Sequence, residues 1–144
     1  MGSFSITIEG EPVAKSRPRH TKTGRVFTPK KTKDAEAKIA RAIKLKWPRD
    51  NPKPIIGPIR VDMEFYLKIP IGTSKKKRLQ LEGEPCLKTP DADNLAKLFL
   101  DAGNHSGIWG DDAQVADLSV LKAWTNEPRT FAQISWDDSM QEKK

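Results

Sequence analysis

Between residues 59 and 69 the chain alternates without a break. Ile59, Val61, Met63, Phe65, Leu67 and Ile69 are apolar, and the positions between them are Arg60, Asp62, Glu64, Tyr66 and Lys68. Successive side chains of a strand point to opposite faces, so this period of two predicts a strand with one face buried. Such a face needs a covering layer. The run from Asp93 to Ala102 supplies one, because Leu95, Leu98, Phe99 and Ala102 fall at i, i+3, i+4 and i+7 and form the apolar stripe of a helix. Gly103 and Asn104 follow as stop signals.

The remaining elements follow from the same signals. Phe4, Ile6 and Ile8 alternate with polar residues and predict a first strand that ends at Gly10 and Pro12. A helix is expected from Pro29 through Lys46, with Pro48 ending it, followed by an extended connection carrying prolines 48, 52, 54 and 58. Residues 72–90 begin with a cap at Thr73 or Ser74 and a short basic helix, then break at Gly83 and Pro85. Val115 to Trp124 and Thr130 to Trp136 predict two strands joined by a turn at Asn126 to Pro128. The class is α/β or α+β: a mixed sheet of about five strands flanked by helices, in one domain over residues 1–137 with a polar, fraying tail at 138–144. Strand order is not legible in the pattern.

Charge divides the chain. Residues 1–90 carry 21 lysines and arginines against 9 acids, a balance of +12, whereas residues 91–144 carry 5 against 10, a balance of −5. A basic surface attracts a polyanion by releasing its condensed counterions, so nucleic acid is the leading partner. Lys15, Arg17, Arg19, Lys22 and Arg25, in a loop or ribbon with Pro18 and Gly24, form one candidate phosphate-binding patch, and Lys75, Lys76, Lys77 and Arg78 form a second. Cys86 is the single cysteine, and no apolar run is long enough for a membrane span or a secretory core. The expectation is a cytoplasmic protein with no membrane association.

Residues 91–112 read DADNLAKLFLDAGNHSGIWGDD, five aspartates around one lysine. A hard divalent cation such as Mg²⁺ takes carboxylate oxygens and retains waters, so convergent aspartates can hold it against a substrate phosphate. The rival reading of Asp91 and Asp93 is helix capping, and of Asp111 and Asp112 a solvated turn. Lys97 lies one turn beyond Asp93 on the same exposed face, so a simple i, i+4 ion pair is also open. An EF-hand is excluded, because Ala96 and Ala102 stand where that calcium loop needs glycine and glutamate. One cysteine and the separated His20 and His105 give no zinc spacing. Trp109 is expected to anchor the aspartate loop by packing rather than to stack on a base.

The string P-D-x-D-N-L-x-K at 90–97, with D-A at 101–102 and W-x-D-D-x-Q-V at 109–115, resembles the RusA family of Holliday junction resolvases. P-V-x-K-x-R-P-R at 12–19 and T-G-R-V-F-T-P-K-K-T-K at 23–33 are similar to its phage and prophage members. The resemblance implies that Asp91, Asp93 and Asp112 are the essential metal-binding carboxylates, with Asp111 a further ligand at the margin of the set, and that Lys97 is the catalytic lysine. Asp101 is read as capping or orienting the helix end. The implied cofactor is Mg²⁺, with Mn²⁺ as a substitute and no other small molecule. The implied partner is a branched DNA, the four-way junction, cut by a homodimer whose symmetry matches that of the substrate. Two departures concern packing: Ala92 stands where a larger aliphatic residue is common, and Gly103 where many relatives keep an apolar one. Two alternatives remain open, a noncatalytic DNA-binding protein and a nuclease acting on forks or flaps.

Overall fold

The computed structural model describes residues 1–16, 19–27, 29–47 and 53–141, without the side chains of Arg19, His20 and Phe27. Its frame is a four-stranded sheet built from β1 (Gly2–Glu9), β4 (Ile59–Lys68), β5 (Val115–Thr125) and β6 (Arg129–Trp136), in the order β1-β6-β4-β5. β6 is antiparallel to both β1 and β4, and β4 is parallel to β5. Parallel neighbours require a crossover. Here it contains α2 (Lys75–Leu81) and α3 (Ala92–Ser106).

The main sheet therefore has four strands where about five were expected. The other two described strands, β2 (Arg19–His20) and β3 (Val26–Phe27), form a separate antiparallel ribbon within the basic segment. The turn after β5 carries the chain past the end of β4, so β6 pairs with β4 and β1 and not with the strand that precedes it.

Helix α1 (Lys30–Lys46) and α3 cover one face of the sheet. Ile39, Ala40 and Ile43 of α1 meet Leu95, Ala96, Leu98, Phe99 and Ala102 of α3 over Ile6, Val61, Met63, Phe65, Ala132 and Ile134. Burying a large apolar side chain contributes roughly 1.5–3 kcal/mol, so this shared stripe is what seats α3. In α2, Ser74 is the cap: its hydroxyl accepts from the Lys77 amide at 3.2 Å.

Two boundaries differ from expectation. α3 does not stop at Gly103 but continues to Ser106, where Gly107, with φ 78°, adopts the left-handed conformation that closes it. Gly103 lies inside the helix because Trp109 packs where its side chain would stand: a Cβ there would fall 2.2 Å from the indole Cζ2. The chain beyond Asp137 makes a further 3₁₀ turn, and Gln141 Oε1 accepts from the Ile56 amide at 2.8 Å. Pro48 and residues 142–144 lie outside the described residues.

Candidate active site

Asp91, Asp93, Lys97 and Asp101 stand on or at the start of α3, whose opposite stripe is in the core. The strap leading into Asp91 is fixed from β5: Lys122 Nζ donates to the carbonyls of Lys88 at 2.6 Å and Pro90 at 2.8 Å. Asp91 is the N-cap by backbone, its carbonyl accepting from the Leu95 amide at 3.1 Å, yet its side chain makes no capping hydrogen bond. Among the described residues its exposed carboxylate has no partner. Asp93, also exposed, accepts from the Asn94 amide at 2.9 Å.

Asp111 and Asp112 arrive on the loop after α3. Trp109 is 1% exposed, and its Nε1 donates to Asn104 Oδ1 at 2.6 Å. Burial answers the question of its role, since an enclosed indole packs and cannot stack on a base. Asn104 in turn donates through Nδ2 to Asp112 Oδ2 at 3.2 Å. Gln114 holds the other side of the loop: its Oε1 accepts from the Gly110 and Asp111 amides, and its Nε2 donates to the carbonyls of Ile55 at 2.9 Å and Gly57 at 3.1 Å. Asp111 caps this turn, accepting from the Ala113 amide at 3.1 Å.

The result is that Asp112 Oδ2 lies 3.7 Å from Lys97 Nζ although 15 positions separate them. Lys97 also meets Asp101 Oδ1 at 3.1 Å, and Asp101 Oδ2 meets Lys15 Nζ at 3.0 Å. Lys15 continues to Glu36 Oε1 at 3.3 Å, and Glu36 Oε2 lies 3.4 Å from His105 Nδ1. The i, i+4 ion pair of Lys97 is thus with Asp101, not with Asp93 as its spacing allowed. Asp101 is not a helix-end residue, because the helix runs on beyond it.

These contacts set the charge states. The hydrogen bond that Lys97 donates to Asp101 is the largest influence on the lysine and raises its pKa, and the nearby carboxylates outweigh the opposing effect of burial. For Lys15, burial is the largest single influence and lowers the pKa, but the hydrogen bonds and charges of Asp101 and Glu36 together leave it raised. Burial likewise pushes Asp101 upward first, and the two lysines more than reverse it, leaving its pKa lowered. The site therefore holds two ammonium groups and an ionised carboxylate between them.

The candidate DNA contacts divide. Lys15 is drawn into the acidic site by its backbone amide, which donates to the Asn94 carbonyl at 2.9 Å, and its ammonium is engaged by the carboxylates of Glu36 and Asp101. Arg78 is also engaged: its guanidinium donates to the carbonyls of Thr73 and Pro70 and to Asn126 Oδ1, each at 3.1 Å, and clamps α2 to the β5–β6 turn. Lys75, Lys76 and Lys77 are exposed, as are Lys22 and Arg25 at the tip of the ribbon. Arg17 and the side chains of Arg19 and His20 lie outside the described residues.

Among the described residues, no three His, Cys, Asp or Glu side chains are gathered to hold a metal ion. No described helix is long and apolar enough to cross a membrane. Sequence reasoning missed Glu36, Asn104, Gln114 and Lys122. Gln114 alone carried a signal, as part of the W-x-D-D-x-Q-V string.

The family model for endodeoxyribonuclease RusA matches residues 9–135, a span that contains every contact of this site. The chain therefore belongs to the RusA endodeoxyribonuclease family, and by that membership is a DNA-cleaving enzyme. It is 38% identical to the uncharacterized protein YqaN of Bacillus subtilis (strain 168), over 93% of this chain and 96% of that protein. It is 29% identical to the crossover junction endodeoxyribonuclease RusA of Escherichia coli (strain K12), over 85% of this chain and 84% of that enzyme.

Proposed function

We propose that this protein is a Mg²⁺-dependent crossover junction endodeoxyribonuclease that acts as a homodimer on four-way DNA junctions in recombination and repair, with Mn²⁺ able to substitute. The observation that carries the reading is the meeting of Lys97 with Asp112, which joins the two halves of the acidic motif at one point.

The residues suit a hard cation in kind. Asp91, Asp93 and Asp112 offer oxygen donors, and the Asp91 carboxylate is exposed and without a partner among the described residues. Mg²⁺ needs no cage made wholly of protein, since it commonly takes one or two carboxylates and completes its shell with water and substrate phosphate. Asp91, Asp93 and Asp112 would hold it, with Asp111 at the margin because its carboxylate already caps the turn. The chemistry a bound cation would supply there is Lewis-acid polarisation of the scissile phosphate and of an attacking water.

Lys97 has a distinct role. Its raised pKa keeps it an ammonium, so it acts as a fixed positive charge for the phosphoryl oxygens and not as a base. Asp101 and Asp112 hold that charge from two sides. Of the two basic patches singled out in the sequence, Lys22, Arg25 and Lys75 to Lys77 are the exposed cations left to grip junction arms.

The deciding experiment offers the protein a four-way junction, a fork and a linear duplex, each with Mg²⁺ and with EDTA. Nicked duplexes released from the junction in Mg²⁺ alone are expected. Cleavage that persists in EDTA removes the metal from the mechanism, and preferential cutting of the fork reassigns the substrate. Binding of every DNA without cleavage of any would leave only a DNA-binding protein.

A further inference from the structure

The basic stretch of α1 was assigned no role by its sequence, and the structure places part of it beside the reaction centre. Two adjoining hollows of about 500 and 460 Å³ run between α1 and α3 and share Ala37 and His105 as walls. The inner one is lined by Lys15, Lys33, Glu36, Asp101 and Asn104, the outer one by Ala40, Arg41 and Lys44. Its inner end is thus made by Asp101 and Asn104, the residues that hold Lys97 and Asp112.

We infer that this groove is a track for the DNA backbone leading away from the scissile phosphate, with Lys33, Arg41 and Lys44 as its phosphate ligands. Their spacing places them on one face: Lys33, Ala37, Arg41 and Lys44 fall at i, i+4, i+8 and i+11 along α1. Ala37 and Ala40 leave the floor low between the long side chains. The three cations are exposed, and among the described residues none has a hydrogen bond or ion pair from its side chain. In this they differ from Lys15 at the inner end, whose charge is met by Asp101 and Glu36. From Lys33 to Lys44 the helix rises about 16 Å at 1.5 Å per residue, which spans roughly five steps of a strand at 3.4 Å each. A row of uncompensated cations of that length suits a polyanion of regular spacing, and a single anion would use only one end.

The assignment rests on the reading of the protein as a junction endonuclease, and binding measured apart from cleavage separates the two. Affinity of the full chain for a four-way junction would be measured in EDTA across a salt series, for the wild type, Arg41→Ala with Lys44→Ala, and Lys68→Ala as a charge control on β4. The double variant is expected to bind about tenfold more weakly, and its slope of log affinity against log salt should be shallower by about two, one for each lost phosphate contact. Lys68→Ala should match the wild type. Both exchanged α1 side chains are exposed, and matched melting temperatures would show that the fold is retained. An unchanged slope in the double variant, or an equal loss in Lys68→Ala, overturns the track, while junction cleavage by the wild type in Mg²⁺ would still stand. A wild type that binds the junction without cutting it sinks the endonuclease reading and leaves the slope comparison to decide the groove.

Discussion

Lys97 Nζ lies 3.1 Å from the carboxylate of Asp101, one turn further along α3, and the other oxygen of that carboxylate lies 3.0 Å from Lys15. An exposed ion pair contributes only about 0–1 kcal/mol, and with Lys97 55% and Asp101 17% exposed the pair adds modestly to the fold. Its effect is positional: it limits where the ammonium can stand beside Asp112.

Asp101→Asn is therefore expected to lower the single-turnover rate of junction cleavage by about tenfold, the equivalent of roughly 1.4 kcal/mol of transition-state stabilisation. Junction affinity should change little, since Asp101 itself offers DNA no cation. A rate equal to wild type would show that Lys97 needs no such partner.

Asp93→Asn should abolish cleavage and keep junction binding, because it removes the charge of a proposed metal ligand from an exposed position and leaves the basic surface intact. A variant that cleaves normally would make Asp93 a helix-terminal residue only.

The Asp101 network has a pH signature. The folded pKa of Asp101 lies below that of the unfolded chain, near ~3.9, so the unfolded state takes up the proton first as pH falls. Its contribution is complete above that value and is lost as pH drops through the depressed folded pKa. Acid melts should show the stability difference between wild type and Asp101→Asn shrinking below roughly pH 4. A difference that stays constant down to pH 2 would contradict the pairing.

Gly103→Ala places a Cβ 2.2 Å from the Trp109 ring, and overpacking of this kind costs about 1–3 kcal/mol. Displacing Trp109 also disturbs Asn104 and, through it, Asp112, so cleavage should fall along with the melting temperature. Calorimetry and the cleavage assay together check this. An unchanged melting temperature would mean that the indole has room to move.

A homodimer that makes paired nicks predicts that mixing in Asp112→Asn subunits gives heterodimers that nick once and resolve poorly. Sedimentation would report the dimer. Resolution that falls only linearly with the active fraction, from a protein that sediments as a monomer, would exclude the paired mechanism.

The alternation of residues 59–69 and the stripe Leu95, Leu98, Phe99 and Ala102 were enough to place a strand and a helix, because each period is imposed by local backbone geometry. The family was likewise legible in the acidic motif, since its residue types and spacings lie within one short stretch. The order β1-β6-β4-β5 was not, because a three-residue turn does not reveal that it steps past a neighbouring strand. Gly103 read as a stop because its reason for being glycine is the indole of Trp109, a contact made only once the loop folds back onto the helix. Lys15 and Arg78 read as free cations because a charge run carries no record of the groups it will meet. Which basic side chains stay unpaired among the described residues, and which are held by Asp101, Glu36 or a carbonyl, was decided by tertiary packing, which brings residues far apart in sequence, such as Lys15 and Asp101, within a hydrogen bond of one another.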